Sequence, residues 1–325
     1  MSQMTASIAH ENEIKYIVDF GSGLGHLARL LTYGHRLNVC CLEMQRSLTE
    51  QAKALDNQMS KLASKYCEEA LPKPVHVNIC LTNETPFEEL LQKIRTSFQI
   101  SLNDSSFAFG IIGLHPCGDL AGILTNFFLR STEAKFLNLV GCCYFKMTVP
   151  KSINTISNGY PLSAFLQRKK SRLSFEAREI ACHAIEVYAK RLFDKDYQNL
   201  RIHSYRATIE KIICKYWPER KHSGLKNIKY LTTFRDYCHQ AVCHLKNIQI
   251  PDDEIDAPDT LYNLKNWKSV VIFYTIRLMF APLVESVILY DRILFLLEND
   301  CNTKVNPFFD PIISARNHII TAVKR

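Results

Sequence analysis

The chain has 325 residues, with 40 Lys or Arg against 32 Asp or Glu, a formal net charge of +8, 47% apolar residues and 11 glycines. That apolar share excludes a disordered chain, and so few glycines exclude collagen-like or linker-rich architectures. The length allows one large domain or two moderate ones, each with ample core.

In chain order, the short apolar run Tyr16–Phe20 reads as a strand flowing into GSGLGH, followed by a helix over 26–33. A second strand spans 37–42, and a helix over 45–67 carries Leu48, Ala52, Leu55, Met59 and Leu62 on one face. The third strand covers 75–80, and the next helix, 86–98, opens at Pro86, where a missing N–H costs nothing. Residues 107–114 form a fourth strand, 119–130 a helix and 136–140 a fifth strand. Strands alternating with helices predict a parallel, doubly wound sheet.

After Met147 the pattern changes. Residues 150–161 are a turn-rich connector, and long helical patterns follow at 175–193, 205–217 and 232–245. Beyond the acidic loop PDDEIDAPD, the apolar run 270–297 is cut by Arg277, Glu285, Asp291 and Arg292. Its uncharged stretches fall well short of the ~18 residues a membrane span needs, so it reads as two buried helices broken near Pro282. Residues 317–323 return to strand character and are expected to join the sheet antiparallel. The helices then form an insertion between the fifth and the last strands.

Charge and cysteine narrow the setting. Residues 1–150 carry a net −1, residues 151–235 a net +11 and residues 236–325 a net −2. Lys169, Lys170, Arg172, Lys190, Arg191, Lys211, Lys215, Arg220, Lys221, Lys226 and Lys229 supply that excess, with Tyr188, Tyr197, Tyr205, Tyr216 and Trp217 among them. A basic segment with aromatics over 168–229 is the footprint of an RNA contact. A solvated helix surface explains it equally well, and so does an acidic protein partner. Twelve cysteines without a basic-then-apolar leader predict reduced thiols in the cytoplasm or nucleus.

The first strand ends in Asp19-Phe20-Gly21-Ser22-Gly23-Leu24-Gly25. Glycines let backbone pass close to a ligand, and the next helix offers unpaired N–H groups. Asp19 inside the loop would repel a pyrophosphate but accept from a cationic amino-acid moiety. Glu43 ends the second strand, at the usual distance for a carboxylate that binds ribose hydroxyls. Loop and carboxylate together favour S-adenosyl-L-methionine over NAD, with Asp19, Gly21, Ser22, Gly23, Gly25 and Glu43 as the binding set. Asn83, after the third strand, is placed to reach an adenine edge or to serve as a turn residue.

Ligands in open α/β sheets bind beyond the C-terminal strand ends. The fourth strand delivers LHPCGDL there and the fifth GCCYFKM. His115, Asp119, Tyr144 and Lys146 are candidates to position or deprotonate a nucleophile, with Cys117 and Cys143 beside them. Asp119 is equally placed to cap the helix it opens. His115, Cys117, Cys142 and Cys143 form a candidate ligand set, but no C-x-x-C pair supports it and adjacent cysteines rarely ligate one ion. No metal is therefore expected. Cys238-His239 and Cys243-His244 lie out of phase on a helix and are not a site.

VDFGSGLGHLARLL, GLHPCGDLA, VGCCYFKMT, GYPLS, REIACHAIEVYAKRL, HSYRATIE and APLVESVILYDRILFL resemble the methyltransferase-like protein 25 family, closest to its 25B branch, also called ribosomal RNA adenine dimethylase domain-containing protein 1. The resemblance implies an α/β, Rossmann-like class I methyltransferase sheet with a large helical insertion. It divides the chain into a cofactor-binding domain, 1–148 plus 278–325, and a basic helical insertion, 149–277. The implied activity is S-adenosylmethionine-dependent methyl transfer; the net +11 segment makes RNA the preferred acceptor, with a protein side chain or a non-catalytic partner-binding scaffold as alternatives. Family members carry a longer N-terminal region with a K-K-x-H-E segment and a helix before the first strand. Here 18 residues precede Asp19 without a Lys pair, which is expected to weaken closure over the cofactor. LHPCGDL also replaces the N-[LIP]-P-[YF] motif of adenine N6-methylating enzymes, which argues against that reaction.

Overall fold

The computed structural model describes residues 1–66, 72–150, 157–228, 233–314 and 316–324. Cys67, where a predicted helix ends, and the basic residue Lys229 lie outside the described residues. Five parallel strands form in the expected order: β1 (Tyr16–Phe20), β2 (Asn38–Glu43), β3 (Val75–Asn78), β4 (Phe109–Leu114) and β5 (Ala134–Val140). Ile17, Val18, Val39, Cys40, Ile111 and Ile112 are almost fully buried, as strands covered on both faces require.

With β6 (Cys301–Pro307) and β7 (His318–Lys324) the sheet order is β3-β2-β1-β4-β5-β7-β6. β7 runs antiparallel to β5, with Leu139 opposite Ile320, as the alternating apolar tail predicts. β6 was not expected. Its sequence, CNTKVNP, is polar and short of branched residues, and it pairs antiparallel along the outer side of β7 with Cys301 opposite Lys324. The insertion therefore lies between the fifth and sixth of seven strands. Strand order reverses between β1 and β4, which puts a crevice at their C-terminal ends.

Several helix expectations need correction. A helix does precede the first strand: α1 (Ser2–Glu11) buries Thr5 and Ala9, and the Asn138 amide of β5 donates to Thr5 Oγ1 at 3.3 Å. α2 (His26–Arg29) passes into a π turn at Leu30–Gly34. α3 (Arg46–Ala63) buries Thr49, Ala52 and Asp56, while Met59 and Leu62 of the predicted apolar face are exposed. The face follows an ion pair and not the leucines. α4 (Phe87–Ser97) starts one residue after Pro86, and α5 (Leu120–Arg130) follows Asp119.

The described residues form two compact units, Met1–Cys182 with Pro282–Arg325, and His183–Ala281. The first expected boundary, 149, shifts to 183 because residues 157–182 fold with the sheet, and the second, 277, shifts to 281. The sheet unit contains α6 (Ala164–Arg168), α7 (Phe175–Ile180) and, from Pro282, α15 (Ala281–Leu297), and the start of α6 is tied to α15 and to Glu298 just beyond it. Buried Asp291 accepts from the Leu162 and Ser163 N–H groups at 2.7 and 2.9 Å and from Ser163 Oγ at 2.7 Å. Glu298 accepts from the N–H groups of Ala164 and Phe165.

The second unit holds α8 (Ile185–Phe193), α9 (Tyr197–Leu200), α10 (Ile202–Tyr216), α11 (Phe234–Val242), α12 (Asp252–Ile255), α13 (Pro258–Lys265) and α14 (Trp267–Leu278). Its core sets Ile209, Ile212 and Ile213 of α10 against Tyr237, Cys238 and Ala241 of α11. The predicted helix over 175–193 is two helices, α7 and α8, one in each unit. α14 is not the buried helix expected, since Ile272, Phe273 and Ile276 are exposed. By length and composition the run Trp267–Leu297 suffices to cross a membrane. It is folded as α14 and α15, and α15 buries Asp291 and Arg292.

Candidate active site

The loop after β1 turns on glycine. Gly21, Gly23 and Gly25 have φ of 70°, 55° and 75°, which L side chains rarely adopt. The Gly21 N–H donates to Leu42 O at 2.8 Å, which ties the loop to β2. Glu43, at the end of β2, accepts the Gly23 N–H at 3.0 Å through Oε2 and the Gln45 N–H at 2.8 Å through Oε1. Each oxygen retains a second lone pair. Asp19 is 2% exposed, and its carboxyl is pushed up to about 7, chiefly by burial and then by Glu43. Sequence reasoning missed the support below the loop. Buried Asp56 bonds Arg29 Nε at 2.5 Å and His76 Nε2 at 2.6 Å, and a Cβ on Gly25 would sit 3.0 Å from the His76 ring.

Asn83 lines a cleft of about 310 Å³ with Leu81, Thr82, Phe87, Asn126 and Asn158. The residues lining that cleft include neither the glycine loop nor Glu43.

At the ends of β4 and β5 the predicted residues divide by role. Asp119 does not cap α5 with its side chain; its Oδ1 accepts the Thr148 N–H at 2.6 Å. Tyr144 is buried, and its hydroxyl donates to Glu285 Oε1 at 2.9 Å. Burial, then the Glu285 charge, raises that phenol well above its ordinary range. Both hydrogen bonds give these side chains a positioning role in the loops. His115 and Lys146 remain exposed. His115 sits at φ 68°, and partial desolvation of its ring, then the Arg316 charge, lowers its basicity, which favours the neutral, proton-accepting imidazole.

The loop Cys142–Met147 is held by residues that the site motifs did not include. Arg178 donates to Phe145 O at 3.1 Å and also to Met147 O. Cys182 Sγ accepts the Tyr144 N–H at 3.2 Å and donates to Cys142 O at 3.3 Å. Both lie in REIACH, one of the family-like segments, so a signal for them existed. Cys117 Sγ lies 3.2 Å from Cys142 Sγ and 3.3 Å from Cys143 Sγ. Hydrogen bonding from Cys142 leads the causes that draw the Cys117 thiol down to about 5, while the Cys142 and Cys143 thiols rise.

The basic segment is divided between the two units. Arg168, Lys169, Lys170 and Arg172 are exposed beside α6 in the sheet unit. In the helical unit Lys190 pairs with Asp194 and Lys215 with Glu254. Tyr188 and Tyr205 serve the core of that unit, Tyr188 through Val271 O and Tyr205 against Phe234 and Tyr237.

A family model described as "Methyltransferase domain" matches residues 1–150. The probable methyltransferase-like protein 25 of Mus musculus is 27% identical over 232 residues, which is 66% of this chain. Its Homo sapiens counterpart is 27% identical over 231 residues, again 66% of this chain. The chain spans 37% of the length of either relative. Among solved structures, 23S rRNA methyltransferase ErmE aligns with 20% identity over 51% of this chain and 53% of its own, at a TM-score of 0.28. The plantazolicin methyltransferase BpumL, solved with SAH, aligns with 12% identity over 44% and 46%, at a TM-score of 0.25. The fold assignment rests on the seven-strand order and the matched domain. Residues 1–150 are thus similar to the methyltransferase domain, in a chain similar to methyltransferase-like protein 25.

Proposed function

We propose that the chain binds S-adenosyl-L-methionine over Gly21–Gly25 and transfers its methyl group, with RNA as the preferred acceptor. One observation carries the cofactor reading: three left-handed glycines at the strand-order reversal, tied to Glu43 by the Gly23 N–H. The residues fit an adenosine that bears an ammonium group. The spare lone pairs of Glu43 suit two ribose hydroxyls, and buried Asp19 regains its charge beside a cation. Space above Gly23, where a Cβ would meet nothing within 4 Å, leaves room for the ligand.

When bound, the cofactor supplies a sulfonium-activated methyl group. The chain must hold an acceptor in line with it and take a proton where the acceptor is a hydroxyl or an ammonium. Neutral His115 is suited to accept that proton, and exposed Lys146 to attract an anionic acceptor. Asp119, Tyr144 and Arg178 fix the loops that carry them. Arg168, Lys169, Lys170 and Arg172, exposed in the same unit, favour RNA.

Calorimetry with S-adenosylhomocysteine tests the first half, and tritium transfer from labelled cofactor into fractionated RNA and protein tests the second. Label in RNA is the expected result. Label in protein would move the acceptor to a side chain, binding without transfer would leave a scaffold, and no binding would end the reading.

A further inference from the structure

Three thiols converge where the fourth and fifth strands end. Cys117, Cys142 and Cys143 place their sulfur atoms 3.2, 3.3 and 3.7 Å apart. A disulfide requires about 2.05 Å, so none of these pairs is one. Zinc–thiolate bonds of about 2.3 Å at tetrahedral angles separate sulfurs by roughly 3.8 Å, a spacing that the Cys142–Cys143 pair already has and that Cys117 would reach by moving out about half an ångström.

The usual objection to neighbouring cysteines is that successive side chains in a strand point to opposite faces. Here β5 has already ended at Val140. Cys143, at φ −84° and ψ 71°, leads into a tight turn over Tyr144–Lys146, so both thiols turn to one side. Cys117 reaches them because Gly118, at φ 59°, lets its backbone approach Lys146; a Cβ there would lie 2.9 Å from Lys146 O. Asp119 bound to Thr148, and Cys182 bound to Cys142 O, hold the two loops in that register. Lys146 adds positive charge beside Cys117 and Cys143, as an anionic thiolate set requires.

We propose that Cys117, Cys142 and Cys143 bind one Zn²⁺ ion, leaving its fourth position to water or an external donor. Among the described residues these three supply the converging ligand atoms. Three protein ligands with one open position is the coordination of a reactive zinc site, in contrast to closed four-ligand structural sites. The site is independent of the glycine loop, and the proposal does not require methyl transfer.

The test uses the whole chain, purified under reducing conditions without chelator. Elemental analysis is expected to give one zinc per chain, falling at least tenfold in Cys117→Ser and Cys143→Ser. Cys80→Ser, an exposed cysteine outside the group, keeps it. Because a variant can misfold, the wild-type protein is also stripped and titrated with Co²⁺. Sulfur-to-cobalt charge-transfer absorption saturating at one equivalent supports the site. Zinc below stoichiometry together with no such band overturns it, as does peptide mapping that shows a Cys117–Cys143 disulfide in the reduced preparation.

Discussion

Glu43 Oε2 accepts the Gly23 N–H at 3.0 Å, so the carboxylate at the end of β2 and the loop after β1 act as one element. Loss of that carboxylate removes both a brace of the loop and the proposed ribose acceptor. Glu43→Ala is expected to weaken S-adenosylhomocysteine binding 10- to 100-fold, the roughly 1.5–3 kcal/mol of a charged hydrogen-bonding group. Calorimetry at constant pH measures it; unchanged affinity would detach Glu43 from the ligand.

Asp19 gives the site a pH signature. Its carboxyl, ordinarily near 3.8, is held up to about 7 by burial and then by Glu43. Between those values the folded chain keeps a proton that the unfolded chain has lost. Asp19 therefore contributes stability at low pH that disappears as pH rises toward 7. Asp19→Asn does not titrate and should exceed the ligand-free wild type in stability at pH 8 by roughly 2–4 kcal/mol. The gap should close by pH 4 while cofactor affinity falls. Denaturant titrations at both pH values decide it, and a less stable variant at pH 8 would contradict the sign.

The Arg29–Asp56–His76 cluster supports the glycine loop from below, with each side chain no more than about one-tenth exposed. Asp56→Ala leaves the guanidinium buried and unpaired, at a cost of about 3–5 kcal/mol. Urea denaturation should show this loss, with weaker cofactor binding in the protein that remains folded.

Tyr144→Phe separates a positioning role from a catalytic one. The variant leaves Glu285, which is buried, without its hydroxyl donor and should cost about 1–3 kcal/mol of stability. Methyl transfer by the folded fraction should keep its pH profile. A shifted profile with unchanged stability would restore Tyr144 to the reacting set.

Reversing charge at Lys169, Lys170 and Arg172 should reduce RNA affinity at least tenfold. The slope of log affinity against log salt should become shallower by about 0.7 for each single-strand phosphate that is no longer neutralised. Binding that does not change would remove RNA as the preferred acceptor.

The parallel half of the fold was legible because its buried strands are short apolar runs, each ended by glycine or a polar residue. Asp19, the loop glycines and Glu43 stood out by spacing for the same reason. β6 escaped because an outer strand needs no apolar run, and CNTKVNP has none. The α3 face was misread because Asp56, a charge, lies where periodicity expects a leucine. Its burial becomes intelligible once Arg29 and His76, distant in sequence, are seen beside it. Likewise, adjacency disqualified Cys142 and Cys143 as partners until the turn after β5 showed both thiols on one side.

β5 waits for its neighbour. Residue 139 meets residue 320 in the sheet, and everything between must be made first. At translation rates of 5–20 residues per second, that edge stays unpaired for roughly 10–40 s. An open apolar edge is a template for mispairing with another nascent chain. Synthesis thus leaves this edge exposed, and a weakened β7 is expected to register as lost yield.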